Sequence, residues 1–185
     1  AIRSFARIVR SPYQFTIATI IGITMIATTF TDYQFKAIAF DSYSDTAALT
    51  AFLGTFYAGI SLASLGIQVL LSSQIIKKMG LAGAVLSRPV GMMVGAVLML
   101  VEPVLASVVI LNGIDGATRY SIDKTGRELL FLPLSQHTKE QTKIFIDIFV
   151  DRFARGLGGV FLLVAILLLG WSVYLLTYIV IGLLL

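Results

Sequence analysis

Apolar residues run along this chain in six long blocks, several of them closed by short polar clusters. The first block covers residues 13–40 and stops at Asp41-Ser42-Tyr43-Ser44-Asp45. The second, residues 46–78, is rich in small side chains: Gly54, Gly59, Ser61, Ala63, Ser64 and Gly66. The third, residues 81–101, contains Arg88-Pro89, where a kink or a late helix start is expected because proline lacks an N–H and crowds the preceding turn. A fourth begins after Glu102-Pro103 and fades into residues 115–124. The fifth is amphipathic over residues 138–155 and wholly apolar to 169, and the sixth is residues 171–185. A spanning helix needs about 20 apolar residues. The pattern therefore predicts an all-α, polytopic membrane protein with six transmembrane helices in a single unit, residues 1–185. The last block is short for a span and the chain opens on Ala1, so a piece of a longer polypeptide is expected.

Composition agrees with lipid as the solvent. Hydrophobic residues make up 57% and charged ones 13%, which excludes both a disordered tail and a surface-charged soluble enzyme. No cysteine is present, so a disulfide framework, a thiolate nucleophile and a Cys-ligated metal are excluded. The single histidine, His137, falls in a polar stretch and reads as a solvated loop residue. No basic run or nucleic-acid-binding motif occurs, and no GxxxxGK[ST] element supports coupling to ATP hydrolysis.

The basic residues orient the helices. With six spans and both ends on one side, that side holds Arg3, Arg7, Arg10, Lys77, Lys78, Lys124, Arg127, Lys139 and Lys143, against Lys36 on the other. The positive-inside rule then places both termini in the cytoplasm. Trp171, Tyr174 and Tyr178 read as interface anchors.

Four basic residues remain within or near helices: Arg88, Arg119, Arg152 and Arg155. An ionisable group in the bilayer core is costly unless it is paired or faces water. Three helices carry such groups at four-residue spacing, which puts them on one face. These are Asp32 and Lys36 on the first, Asp115, Arg119 and Asp123 on the fourth, and Lys143, Asp147, Asp151 and Arg155 on the fifth, with Arg152 beside them. Each stripe mixes both signs and can line a wet cavity. The plainer alternative makes Asp123, Lys143 and Asp147 solvated residues of interfacial turns, and Arg88 an interfacial anchor. Gly91 and Gly95, spaced as small-xxx-small, predict close helix packing, as do Gly156, Gly158 and Gly159.

Several stretches resemble the ATP/ADP translocase family, the nucleotide carriers of plastids and obligate intracellular bacteria, with its bacterial relatives. TDYQFKAIAF (residues 31–40) and TAFLGTFYAG (residues 50–59) are similar to the family's seventh and eighth helices. RYSIDKTGRELLFLPLSQHTKEQTKIFID (residues 119–147) resembles its signature loop, and RFARGLGG (residues 152–159) resembles the Arg-Leu-Gly-Lys-Ser-Gly-Gly that follows. The resemblance implies the C-terminal six-helix half of a major-facilitator-type fold. It places the family's helical acid on Asp32, the lysine four positions on at Lys36, the loop's basic residue on Arg119, and the lysine before Gly-Gly on Arg155. That last substitution keeps charge but changes hydrogen-bond geometry.

The leading functional expectation is a secondary carrier for an anionic solute of the nucleotide class. Asp32, Lys36, Arg119 and Arg155 would bind substrate, with Asp115, Asp147, Asp151 and Arg152 as supporting charges. Expected partners are the bilayer, a second six-helix half, and the extra soluble domains or subunits that bacterial relatives carry; no cofactor, metal or nucleic acid is implied. The alternative is a membrane anchor or scaffold that keeps the carrier fold without transport, in which the charge stripes pair internally. No nucleophile–base or metal constellation supports an enzyme.

Overall fold

The computed structural model describes residues 11–131 and 136–185. Arg3, Arg7, Arg10 and the Leu-Pro-Leu-Ser of the signature stretch lie outside them. The described residues are helical almost throughout and contain no strand. Helix α1 is Pro12–Ser42, α2 is Thr46–Gly66, α3 is Ser72–Val101 and α4 is Leu105–Thr118. Helix α5 is Lys124–Leu130, α6 is Gln136–Ile144, α7 is Asp151–Leu163 and α8 is Leu175–Leu184. Wide π turns join several of these end to end: Ile67–Leu71 joins α2 to α3, Arg119–Asp123 joins α4 to α5, Phe145–Val150 joins α6 to α7, and Val164–Leu168 extends α7.

Local chemistry sets the breaks. Pro12 starts α1 at a position where its missing N–H costs nothing. The polar cluster after α1 becomes a tight connection in which the Asp45 carboxylate caps α2, accepting from the Ala48 N–H at 3.0 Å. Gly80, at φ +69°, turns the chain inside α3, a left-handed conformation that L side chains rarely adopt. The helix does not start late at Pro89. The helix runs through Pro89 and breaks at Gly80 instead. The fourth block does not fade at residues 115–124 either, but continues as helix to Leu130. Most of the expected signature loop is likewise helical, and His137 lies on α6 rather than in a loop.

Helix α1 is the central rod, packed against α7, α4 and α8. Phe30 and Phe35 of α1 share one apolar core with Met92 and Met99 of α3, Leu111 of α4 and Leu176 of α8. A second core joins Ile17, Ile21 and Met25 to Phe131, Ile146 and Ala154. Helix α3 has two apolar sides. Ala84, Met92, Ala96 and Met99 are buried, while Val90, Val94, Leu98 and Val101 face outward. Water would penalise that outward stripe and hydrocarbon would not.

Among the described residues, three helices are long and apolar enough to cross a membrane: Pro12–Ser42, Thr46–Leu70 and Gly80–Val101. Leu175–Leu184 is apolar but short. The rods built from α4–α5 and α6–α7 carry the charges that sequence places in stripes, and those charges position the site.

Glycine sets the closest approach. A Cβ on Gly95 would fall 2.7 Å from the Cα of Leu111, and one on Gly91 would fall 2.6 Å from the Ile114 side chain. The expected role of this pair in close α3–α4 packing is therefore observed. Gly158 meets Thr29 in the same way, at 3.2 Å. Gly156 and Gly159 do not: a Cβ on either meets nothing within 4 Å, because they lie on the outward side of α7.

Candidate functional site

One arginine organises the buried polar groups. Arg88, on α3, has no exposed surface, and its guanidinium reaches two other helices. Its Nε donates to Asp115 Oδ1 at 2.7 Å, Nη1 to Asp123 Oδ2 at 3.1 Å, and Nη2 to the Thr28 hydroxyl at 2.7 Å. The expected interfacial anchor is thus a core residue. The reason lies in its surroundings: two buried carboxylates on the α4 rod need a cation, and a buried unpaired charge would be far more costly than this fork. Asp123, expected in an interfacial turn, is buried for the same reason.

The network continues outward through shared carboxylates. Arg119 Nη2 donates to Asp115 Oδ2 at 2.6 Å and lies 3.9 Å from Asp32 Oδ2. Asn112 Nδ2 donates to the other Asp32 oxygen at 2.9 Å. At the opposite end Arg127 Nη2 pairs with Asp123 Oδ2 at 2.8 Å. Three arginines, Arg88, Arg119 and Arg127, and three aspartates, Asp32, Asp115 and Asp123, therefore alternate in one chain of contacts with no net charge.

Beside this network a cleft of about 330 Å³ opens between the α4–α5 rod and the α6–α7 rod. Arg119, Lys124, Arg127, Lys143 and Arg155 bring cations to it, and Asp123, Glu128, Asp147 and Asp151 bring carboxylates. Arg155 is half-exposed there, 3.1 Å from Asp151 one turn away, with Nη2 also 3.7 Å from the Met25 sulfur. Across the cleft mouth, Lys143 Nζ lies 3.3 Å from Glu128 Oε1. Lys124 is exposed and has no hydrogen-bond or ion-pair partner among the described residues. Cations on flexible or half-exposed side chains facing a concave space can receive an anion without first losing a buried partner.

The expected site residues separate into two groups. Arg119, Arg155, Asp147 and Asp151 meet at the cleft, and Asp115 and Asp32 hold Arg119 from behind. Lys36 and Arg152 are exposed and do not line it. Sequence reading passed over Arg88, Lys124, Arg127 and Glu128 as site residues. A signal for Arg88 was present: the stripe Asp115, Arg119, Asp123 holds two acids and one base, so burying it requires a further cation from another helix. Among the described residues no group of three metal-ligating side chains converges.

The family model described as TLC ATP/ADP transporter matches residues 1–185. The protein named ADP,ATP carrier protein 1 of Chlamydia muridarum (strain MoPn / Nigg) is 22% identical over 176 residues, covering 84% of this chain and 33% of that protein. The protein of the same name from Chlamydia trachomatis serovar D is 23% identical over 176 residues with the same coverage. The chain thus spans about a third of the length of these relatives. No solved structure matches.

Proposed function

This chain belongs to the TLC ATP/ADP transporter family, and we propose that it forms one six-helix half of a secondary carrier that exchanges nucleotides across a membrane. The observation that carries the reading is the convergence of Arg119, Lys124, Arg127, Lys143 and Arg155 on one cleft. Phosphate groups match these donors. A guanidinium presents two parallel N–H groups to a phosphate, and such charge-assisted pairs are about twice as strong as neutral hydrogen bonds.

The mechanism follows from which contacts an anion can displace. The Arg155–Asp151 pair is half-exposed and spans one helical turn, a geometry worth little in water. A phosphate entering the cleft takes Arg155 from Asp151, and the freed carboxylate keeps its solvent. Arg119 keeps its 2.6 Å bond to Asp115 and exchanges the longer approach to Asp32 for the substrate. In the empty state those carboxylates stand in for substrate, so the cleft is never an uncompensated pool of positive charge. The second half, outside this chain, supplies the facing wall, and rocking of the two halves moves the site from one side to the other. In this reading all six rods are spans and both termini are cytoplasmic.

A second reading, a membrane scaffold that keeps the fold without transport, is favoured by the full internal pairing of Arg88, Asp115 and Asp123. The open Lys124 and half-exposed Arg155 favour the carrier. Uptake of labelled ATP by the full-length protein in liposomes separates them. Arg155→Ala should weaken uptake by about tenfold to a hundredfold, the loss of one charge-assisted contact, with folded yield kept. Arg155→Lys should retain much more. No uptake in wild type, with Arg155→Ala changing only stability, would select the scaffold.

A further inference from the structure

The two arginines at the ends of the buried network share an unusual state. Each is held by a carboxylate through a terminal nitrogen, Arg119 by Asp115 and Arg127 by Asp123. In each, the Nε is buried and has no hydrogen-bond partner. An arginine meeting an aspartate ordinarily offers its forked edge, two parallel N–H groups to two oxygens. At Arg119 that edge is incomplete on the carboxylate side, because Arg88 already holds one of the two Asp115 oxygens. Asp115 gives Oδ1 to Arg88 and only Oδ2 to Arg119. Asp123 gives the same Oδ2 to Arg88 and to Arg127.

The backbone supports this sharing. Asp115 and Asp123 are eight residues apart, which in a regular α-helix leaves them about 80° apart around the axis, too far to face one residue squarely. The π turn Arg119–Asp123 lies between them and accommodates one extra residue. That brings the pair to about 20° from alignment, two turns apart on one face, by the same arithmetic. Arg88 fits between them, and Thr28 on α1 takes its remaining terminal nitrogen.

We propose that Arg88 is a positioning residue for anion binding: by occupying Oδ1 of Asp115 it denies that carboxylate the forked edge of Arg119, and so keeps the Arg119 guanidinium turned toward the cleft. The inference rests on the carrier reading for its consequence in transport, and on the geometry alone for its consequence in the cleft. Without Arg88, Asp115 has an oxygen free to close on the Nε of Arg119, and that guanidinium turns inward. Lysine in its place keeps the charge but is a single point that cannot bridge two carboxylates.

The test uses the full-length protein in liposomes, with labelled ATP as probe. Arg88→Gln should raise KM by about tenfold to a hundredfold, the range for one or more lost charge-assisted contacts, while kcat changes much less. Arg88→Lys should fall between Arg88→Gln and wild type. Adding Asp115→Asn to Arg88→Gln removes the carboxylate that would capture Arg119 and should bring KM back toward wild type. A purely structural role predicts lower yield with unchanged KM in the protein that folds, and that result would overturn the proposal. If Arg88→Gln does not fold, the Arg88→Lys variant and the double variant carry the same comparison.

A second readout needs no substrate. In a cysteine-free background, Lys124→Cys puts a thiol on the cleft, and its relative rates with anionic and cationic methanethiosulfonate reagents report the local potential. Arg88→Lys should lower the anionic-to-cationic rate ratio although net charge is unchanged. An unchanged ratio refutes the positioning role whether or not ATP is carried. Wild type that takes up no ATP but shows the shifted ratio removes the carrier reading and leaves the positioning role standing.

Discussion

Gly95 of α3 and Leu111 of α4 touch through their main chains, so closely that a Cβ on the glycine would sit 2.7 Å from the Leu111 Cα. Backbone cannot swing aside as a side-chain tip can. Gly95→Ala should therefore cost about 1–3 kcal/mol, the range for overpacking a filled interface. Gly91→Ala meets only the Cγ2 of Ile114 and should cost less, since that side chain can rotate. Thermal unfolding in detergent measures both, and equal melting temperatures for the two variants would contradict this ranking.

Asp115 and Asp32 both face Arg119 but should differ sharply when neutralised. Asp115 is 1% exposed and compensates two arginines, so Asp115→Asn strands buried positive charge. Breaking a buried pair in this way costs about 3–5 kcal/mol. Asp32 is partly exposed and 3.9 Å from Arg119, so Asp32→Asn should cost about 1 kcal/mol or less. Denaturant titration of the two variants provides the comparison.

Glu128 competes with substrate at the cleft mouth. Its pairing with Lys143 is exposed on both sides, so Glu128→Gln should leave stability within about 1 kcal/mol of wild type. It frees one ammonium and removes one negative charge from the cleft wall. At about 6 Å in a watery mouth that is worth roughly 0.7 kcal/mol, or a KM for ATP about threefold lower. Lys143→Ala should move KM the other way. A rise in KM for Glu128→Gln would mean that the carboxylate helps to hold substrate.

Orientation is open to direct measurement. Ser44 lies in the connection between α1 and α2, and Lys78 lies near Gly80 at the far end of the second rod. Cysteines at the two positions should react with impermeant thiol reagents from opposite faces of the membrane. The positive-inside reading puts Lys78 in the cytoplasm and Ser44 outside. Reaction of both from one face would refute it.

The long helices were legible because lipid asks only for apolar length, and the polar cluster at residues 41–45 ends α1 and starts α2. The Gly91–Gly95 contact was legible for a similar reason, since two small residues four apart admit a neighbouring backbone. Arg88 was not. Its neighbour Pro89 suggested a helix end, and an arginine at a helix end reads as an anchor, whereas the helix actually continues and carries Arg88 inside. The π turns were also hidden, because one extra residue per turn leaves no mark in composition. They changed which charges face one another, aligning Asp123 with Asp115 where a regular helix would leave the two about 80° apart. For the cleft, four-residue spacing on the fourth and fifth blocks correctly brought Arg119 and Arg155 to one place, but it carried no information on the exposed position of Lys36.

The Arg88 fork also bears on how the polypeptide enters lipid as it is made. Arg88 emerges from the ribosome before its counterions, which lie 27 and 35 residues later. Alone at the middle of a span, an arginine opposes insertion by about 2.5–3.5 kcal/mol. Helix α3 has enough hydrocarbon to offset this but gains a settled position only when Asp115 and Asp123 arrive. The short turn at residues 102–104 delivers them on the next rod. The third and fourth rods should therefore insert as a pair, since a stop after Val101 strands an arginine whose two carboxylates lie on the rod that follows.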